Sequence, residues 1–220
     1  MGQYLDDLED IKREERLDRQ NKRIAAMTAS AYEKSTKVRA IFDERGLTPA
    51  DVRTVEDLKK LPIISREKLI EVEMAELPYG GFHNPGAKID RIFTSLGPVY
   101  EPHLSEDDPL WARAYYAAGI RPADTVLNAF SYHMVAAGLT FHNGLRKVGA
   151  TVVPSGAAGA QQQVQLMRDL ACTAFTGTPS FLMAIIKKAE EMGYHFTKDF
   201  RLKKACFAAE PLQASMRQTF

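Results

Sequence analysis

Cysteine and tryptophan are scarce in this 220-residue sequence, which contains two of the former and one of the latter. Two cysteines are too few for the disulfide framework that holds small secreted domains together. Cys172 and Cys206 each lie in an apolar, strand-like run, where a buried free thiol is the expected state. No metal site follows from them.

The chain also lacks a charge imbalance and a long apolar run. Its 29 basic and 28 acidic residues leave a formal net charge of +1, so no overall field attracts nucleic acid or an anionic membrane. No apolar stretch approaches the ~18 residues that span a bilayer, and the N-terminal segment has no apolar signal core. We expect a cytoplasmic enzyme or binding protein without nucleic-acid or membrane partners.

The residues that are present suffice for one sizeable core, with 45% hydrophobic and 26% charged residues. Residues 1–87 show the apolar spacing of helices, and their inward side chains are predicted to include Leu17, Ile24 and Met27. Helix-start signals recur at Thr48 and Ser65. We expect this region to be a helical segment that packs on the core.

Residues 88–220 have a different pattern, in which short apolar runs alternate with helical stretches. The predicted strands are RIFTS, TVLNAF, ATVVPSG, TAFTGTP and KKACFAA. A capping pair, Ser105 with Asp108, is predicted to start the first helix. Because the strand runs are apolar throughout, both faces of their sheet must be covered. We predict a doubly wound, mostly parallel α/β sheet behind the helical lead.

Ligands of an open parallel sheet bind outside the carboxyl ends of its strands, where loops and helix N-termini converge. The loops predicted at these ends carry small, hydroxylic or glycine residues, which let a ligand come close to the backbone. They are Ser95 to Tyr100, Ser131 to His133, Ser155-Gly156, Thr176 to Pro179, and Ala208 to Pro211. The set predicts a ligand crevice at this edge.

Together these loops resemble those of the phenylacetate-CoA ligase family of adenylate-forming enzymes. The resemblance is carried by AYEKSTKVRAIFDERGLTPADVRTVEDLKKLPIISREKL, WARAYYAAGIRPADTVLNAFSYHMVAAGLTFHNGLRKVGATVVPSG, TAFTGTPSFLMAIIKKAEEMG and CFAAEPL. It implies that the complete enzyme converts an aromatic or other small organic acid and ATP into acyl-AMP and pyrophosphate, and that the coenzyme A thiolate then displaces AMP. The implied cofactors are ATP, Mg²⁺ and coenzyme A.

The resemblance places the ATP phosphate loop in RIFTSLGPVYEP, where Thr94, Ser95 and Gly97 are kept and Glu101 stands in place of the family's lysine. Pro98 removes an amide donor, and a carboxylate close to a polyphosphate repels it by a few kcal/mol. One interpretation keeps a phosphate contact, with Glu101 turned to solvent or bridged by Mg²⁺. The other makes this segment a structural strand-to-helix connection.

The remaining site residues are also assigned by resemblance. The resemblance places the backbone of Ala208, Ala209, Glu210 and Pro211 against adenine. The alternative is that this segment is only a strand-ending turn. The acyl pocket is lined by Tyr132, His133, Ser155, Gly156, Gly177 and Thr178. His133 either holds the substrate carboxylate or acts as a base, or else is a hydrogen-bonded structural histidine. The small residues Ser155, Gly156, Gly177 and Thr178 either let a ligand come close or allow a helix to pack tightly on the sheet. No catalytic residue or metal ligand is assigned.

The end of the sequence predicts an incomplete α/β subdomain, because Gln213 to Phe220 only begin a helix. We expect either a fragment of a longer ligase or a natural half-protein, inactive alone, with a homodimer or the missing half covering its apolar surface. Two alternatives stay open. One is a non-catalytic module that binds an acyl group, a nucleotide or a partner; the other is an unrelated flavodoxin-like binding domain.

Overall fold

A computed structural model describes residues 4–104 and 110–220 of the chain. They form two compact units: an N-terminal unit of residues 7–104 and a sheet unit of residues 4–6 and 110–220. The capping pair predicted at Ser105 and Asp108 lies outside the described residues. The domain boundary predicted at residues 87/88 stays a prediction.

The N-terminal unit begins with helices whose starts have the predicted chemistry. They are α1 (Arg13–Lys34), α2 (Thr36–Asp43) and α3 (Arg66–Ala75), with 3₁₀ turns at Asp7–Glu9, Pro49–Asp51 and Glu56–Lys60. The Ser65 side chain accepts a hydrogen bond from the amide of Lys68, and Thr48 forms a capping box with Asp51. Both predicted helix starts are confirmed.

The inward face of α1 is narrower than its sequence predicts. Ile24 is buried as expected, but the side chains of Leu17 and Met27 are 45% and 61% exposed. The helix packs against α2 and the turn at Pro49–Asp51, where the Thr28 hydroxyl donates to the carbonyl of Val52. The apolar spacing therefore predicted the helix correctly, but it overestimated how much of the helix surface is buried.

The segment RIFTS is a strand, but the predicted parallel pairing is wrong. β1 (Arg91–Ser95) pairs antiparallel with β2 (Val99–His103), and residues 96–98 form the hairpin turn. Gly97 has a φ of +146°, a conformation that suits glycine. The second strand was not predicted because Glu101 and Pro102 are both rare in central strands. Proline is, however, tolerated in an edge strand. The strand-to-helix connection is therefore a hairpin.

The sheet unit contains the predicted parallel sheet. Its strands are β3 (Thr125–Asn128), β4 (Thr151–Val153), β5 (Ala174–Gly177) and β6 (Lys204–Phe207), in the order β4-β3-β5-β6. The helices are α4 (Leu110–Ala117), α5 (Ala137–Val148), α6 (Ala160–Asp169), α7 (Pro179–Glu191), α8 (Phe196–Asp199) and α9 (Ala214–Thr219). A mixed α/β fold with a helical lead and a parallel sheet is confirmed.

Helices cover both faces of this sheet, which explains why its strands are apolar throughout. Val126 and Ala174 join a core cluster with side chains of α4 and α5. The neighbouring residues Leu127 and Phe175 join a second cluster with side chains of α6 and α7. Within the described residues, no helix is both long and apolar enough to cross a membrane.

The strand order fixes where a ligand crevice opens. The chain leaves β3 through α5 towards β4, whereas it leaves the neighbouring β5 through α7 towards β6 on the other side. The loops after β3 and β5 therefore diverge to opposite faces of the sheet. Such a switch point is where open α/β sheets bind their ligands.

Candidate functional site

A groove of about 620 Å³ lies at the switch point. It is lined by residues from the loops after β3, β4 and β5 and from the first turns of α7: Ala129, Phe130, Ser131, Ala157, Ala158, Gly159, Thr178, Ser180, Phe181 and Ala184. Most of these side chains are small, so the groove exposes backbone at the carboxyl ends of the strands. The groove includes Ser131 and Thr178 of the predicted loops, whereas Tyr132, His133, Ser155, Gly156, Gly177 and residues 208–211 do not line it.

The loop after β4 is fastened to the end of β3. The Ser155 hydroxyl donates to the carbonyl of Asn128 over 3.1 Å, and the Gly156 amide donates to the same oxygen over 2.9 Å. Gly156 has a φ of +57°. The fully buried Gln163 completes the support, because its amide nitrogen donates to the carbonyls of Gly156 and Ala158. Ser155 and Gly156 are therefore held in a fixed backbone conformation.

The Tyr132 hydroxyl belongs to a partly buried hydrogen-bond network. It accepts from the side-chain amide of Asn128 over 2.7 Å and contacts Nδ1 of His142 over 3.1 Å. Burial raises the pKa of Tyr132 to about 12. Burial, together with the charge of Arg146, lowers the pKa of His142, which is consequently neutral at neutral pH. The Tyr132 hydroxyl is thus already engaged by Asn128 and His142.

His133 lies in a different environment from its neighbour Tyr132. Its side chain is exposed, while its backbone amide donates to the Ser131 hydroxyl over 3.1 Å. The next residue, Met134, has a φ of +63°, which is uncommon for a residue other than glycine. This tight loop holds the His133 imidazole at the surface, open to a ligand.

Gly177 and Thr178 end β5 and begin α7. The Thr178 hydroxyl caps the helix by accepting from the amide of Phe181 over 3.2 Å. A Cβ atom on Gly177 would lie 2.4 Å from the ring of Phe175 and 3.3 Å from Cβ of Ala129. Packing against the Phe175 ring of the same strand and against Ala129 after β3 therefore accounts for glycine at this position.

The loop after β6 is tied to the start of α7. The Ala208 amide donates to the carbonyl of Gly177 over 3.2 Å, and Ala209 has a φ of +69°. The Glu210 carboxylate accepts from the Ser180 hydroxyl over 2.7 Å and from the Ser180 amide over 3.3 Å. Pro211 follows directly. These contacts fix the backbone that the resemblance places against adenine.

A separate, mostly apolar cavity of about 260 Å³ lies between α4, α5 and the end of the sheet. The walls include the rings of Trp111, Tyr115 and Phe141. The Tyr115 hydroxyl is hydrogen-bonded to the Thr176 hydroxyl over 2.9 Å. Burial raises the pKa of the Cys206 thiol in this wall to about 11, so it stays protonated at neutral pH. The cavity suits a small apolar or aromatic group.

The residues of the predicted phosphate loop lie apart from these loops in sequence, in the N-terminal unit. The Ser95 hydroxyl donates to Glu101 over 2.5 Å and accepts from Arg66 over 2.9 Å. Thr94 and Gly97 belong to β1 and to its turn. In the described ranges, no three His, Cys, Asp or Glu side chains come together as a metal site. Ser95 and Glu101 of the hairpin are thus hydrogen-bonded to each other, and Arg66 of α3 binds Ser95.

Four polar residues of this arrangement had no sequence signal. Ser180, His142 and Gln163 lie within helices, where their pattern matches that of any polar helix position. Arg66 is the first residue of α3, where a basic side chain is ordinary. Their partners are distant in sequence or in another element, which a local pattern does not reveal.

Comparison with known proteins gives relatives across nearly the whole chain. No family model matches the sequence. The phenylacetate-coenzyme A ligase of Aromatoleum evansii is 31% identical over 223 residues, covering 97% of this chain and 49% of the relative. The enzyme of the same name from Escherichia coli K12 is 30% identical over 222 residues, covering 97% and 50%. The chain thus spans about half the length of the curated relatives it matches.

A solved structure agrees with these relatives. An open conformation of 2-hydroxyisobutyryl-CoA ligase, in complex with 2-HIB-AMP and CoA, superposes with a TM-score of 0.80 at 25% identity. The match covers 90% of this chain and 45% of that chain. Both comparisons confirm the resemblance drawn from the sequence segments. The chain belongs to the phenylacetate-CoA ligase family of adenylate-forming enzymes and matches the N-terminal part of its members.

Proposed function

We propose that this chain supplies the acyl- and adenylate-binding part of an AMP-forming acyl-CoA ligase. The complete protein would join a small organic carboxylate to the α-phosphate of ATP and pass the acyl group to coenzyme A, with Mg²⁺ as the phosphate counterion. The observation that carries this proposal is the switch-point groove, which lies in a chain whose relatives are phenylacetate-coenzyme A ligases. ATP, coenzyme A and the acid are all parts of the proposal.

The backbone of residues 208–211 has the features required of an adenine platform. Ala209 in the left-handed region and the contact between Glu210 and Ser180 hold it rigid, so little order is lost when a flat ring stacks on it. Ser155, Gly156 and Thr178 leave room for the acyl phosphate to approach the backbone. In this proposal the exposed His133 orients the substrate carboxylate, which enters already ionised and needs no general base.

In this proposal the acyl group enters the apolar cavity beside Ala208, whose lining includes none of the residues predicted for the acyl pocket. Its volume of about 260 Å³ suits a small acyl group and is too small for a long chain. The rings of Trp111 and Phe141 meet edge to face with centroids 4.6 Å apart, an arrangement that also suits another aromatic ring. We therefore propose an aromatic or other small organic acid as substrate.

A chimera tests this function directly. Residues 1–220 replace the aligned half of the Escherichia coli relative, and the product is supplied with phenylacetyl-adenylate and coenzyme A. We expect phenylacetyl-CoA and free AMP, as the thiolate attacks the acyl carbon and the bond to the phosphate oxygen breaks. The 220-residue chain alone is the control and is expected to form no thioester. A folded chimera that binds AMP but forms no thioester contradicts the proposal.

One observation favours a second function. The hydrogen bonds of Ser95 with Glu101 and Arg66 leave the hairpin without the polar groups of a phosphate loop. A non-catalytic module that binds an acyl group or a nucleotide has no need of such a loop. That module binds AMP as the ligase part does, but its chimera forms no thioester.

A further inference from the structure

We propose that the β1–β2 hairpin of this chain does not bind the β- and γ-phosphates of ATP. The reason is that the Ser95 hydroxyl is already hydrogen-bonded to Glu101 of the hairpin and to Arg66 of α3. We call Arg66, Ser95 and Glu101 the clasp. This inference rests on the proposed function, since only an adenylate-forming enzyme requires polyphosphate contacts. It assigns those contacts in the complete protein to groups outside the hairpin.

The strand register places Ser95 and Glu101 of the clasp on the buried face of the hairpin. Side chains alternate between the two faces of a strand, so Ser95 lies on the same face as Phe93. Glu101 pairs with Phe93 and therefore shares that face with Val99. The side chains of Phe93 and Val99 are only 7% and 3% exposed. Glu101 is therefore not turned to solvent, which is one of the two arrangements that would keep a phosphate contact, but lies beside Ser95.

The hydrogen bonds of the clasp use the hydroxyl that a phosphate would need. Ser95 has one hydroxyl hydrogen, and it donates that hydrogen to Glu101 over 2.5 Å. The Arg66 guanidinium donates to the Ser95 oxygen over 2.9 Å and, through Nε, to the carbonyl of Leu96 over 2.8 Å. Ser95 therefore has no hydrogen left to donate, and Arg66 already has acceptors.

Two backbone donors in or close to the turn are missing or already used. Pro98 has no amide hydrogen, and the amide of Tyr100 donates to the Glu73 carboxylate over 3.1 Å. A Cβ atom on Gly97 would lie 2.7 Å from Cδ1 of Ile70, so the turn packs closely against α3. The carboxylates of Glu73 and Glu101 both accept hydrogen bonds from hairpin residues close to this turn.

Charge opposes a polyphosphate at this place. Arg66 supplies one positive charge, but the carboxylates of Glu101 and Glu73 supply two negative ones within hydrogen-bond distance of hairpin atoms. A phosphate loop works because amides, hydroxyls and a lysine outnumber the acceptors around it. Here the acceptors are in excess, and the local field repels the phosphates that the family's loop attracts.

Titration with Mg²⁺-tripolyphosphate tests the clasp without involving adenine. The purified 220-residue chain is compared with Glu101→Gln, which removes the charge and weakens the hold on the Ser95 hydroxyl. We expect Glu101→Gln to bind tripolyphosphate at least about tenfold more tightly than the unchanged chain, equivalent to about 1.4 kcal/mol. The matched control is Glu71→Gln on α3, which removes the same charge from an exposed pair with Lys68 and is expected to change little.

Two results overturn the inference. One is equal affinity of the unchanged chain and folded Glu101→Gln. The other is tight binding by the unchanged chain that Ser95→Ala abolishes, since the hydroxyl would then serve the phosphate. If Glu101→Gln fails to fold, Ser95→Ala tests the inference in its place. An affinity of Ser95→Ala for tripolyphosphate equal to that of the unchanged chain supports the clasp. A separate titration with AMP tests the proposed function, so the two failures are distinguishable.

Discussion

Replacing Gly138 with alanine is expected to lower the free energy of unfolding of the sheet unit by about 3 kcal/mol. A Cβ atom there would lie 2.4 Å from the carbonyl oxygen of Ser131, 2.7 Å from its carbonyl carbon and 2.9 Å from Cα of Tyr132. These are backbone atoms, which cannot rotate away as a side chain can. The Gly138 amide also donates to the Ser131 oxygen over 2.9 Å, so the loop after β3 must move as a whole.

Urea unfolding of Gly138→Ala measures this cost, and Gly159→Ala is the matched control. A Cβ atom added to Gly159 would have no heavy atom within 4 Å, and the φ of −62° at this residue is one that alanine adopts readily. The control is expected to change the free energy of unfolding by less than about 1 kcal/mol, because alanine restricts the unfolded chain but is a poorer N-cap of α6 than glycine. Equal midpoints and slopes for both variants would show that the loop after β3 is looser than described.

Asp124→Ala is expected to have the second large effect, a loss of about 3 kcal/mol. Asp124 is 6% exposed and precedes β3 at the end of the sheet opposite the groove. Its carboxylate accepts from Lys204 over 2.7 Å, from the Thr173 hydroxyl over 2.8 Å and from the amide of Arg121 over 2.7 Å. One carboxylate thereby links the starts of β3, β5 and β6. Its removal takes away the shared acceptor of these three donors.

The contribution of Asp124 also depends on pH. Burial acts to raise the pKa of Asp124, but hydrogen bonds from Lys204, Thr173 and the Arg121 amide together hold it below its ordinary value. The stability it adds is therefore fully present above the unfolded-state pKa of about 3.9 and is lost as the pH falls through the lower folded-state pKa. The difference between the unchanged chain and Asp124→Asn should shrink below about pH 4.

Unfolding by urea at neutral and acidic pH checks both statements. The control is Asp169→Ala, which removes a carboxylate from a largely exposed pair with Arg168. Such surface pairs contribute about 0–1 kcal/mol. A loss at Asp124 no larger than that at Asp169 would contradict the network.

The parts of the fold that follow from local chemistry were predictable from the sequence. Apolar runs such as TVLNAF and TAFTGTP predicted buried strands, because only a sheet covered on both faces tolerates them. The Ser65 cap was predictable because a hydroxyl there meets the free amides of a first helical turn. The loops after β3, β4, β5 and β6 followed in turn from the rule that parallel strands end at one edge.

The parts that depend on distant partners were not predictable. The hairpin was missed because Glu101 and Pro102 are unfavourable strand residues whose cost is offset by an edge position and by the contact with Ser95. Ser180 and Glu210 are thirty residues apart and meet only because β5 and β6 are neighbours. Such polar contacts are set by topology, so they become visible only when the sheet order is known.

Calorimetric titration of the purified chain with AMP tests whether the carboxyl edge of the sheet unit is an adenylate-binding site. We expect saturable binding with a Kd below about 1 mM, equivalent to about 4 kcal/mol, and weaker binding by Ser180→Ala, which releases Glu210. A folded chain that shows no saturable heat with AMP, or a Ser180→Ala variant that binds AMP as tightly as the unchanged chain, would contradict it.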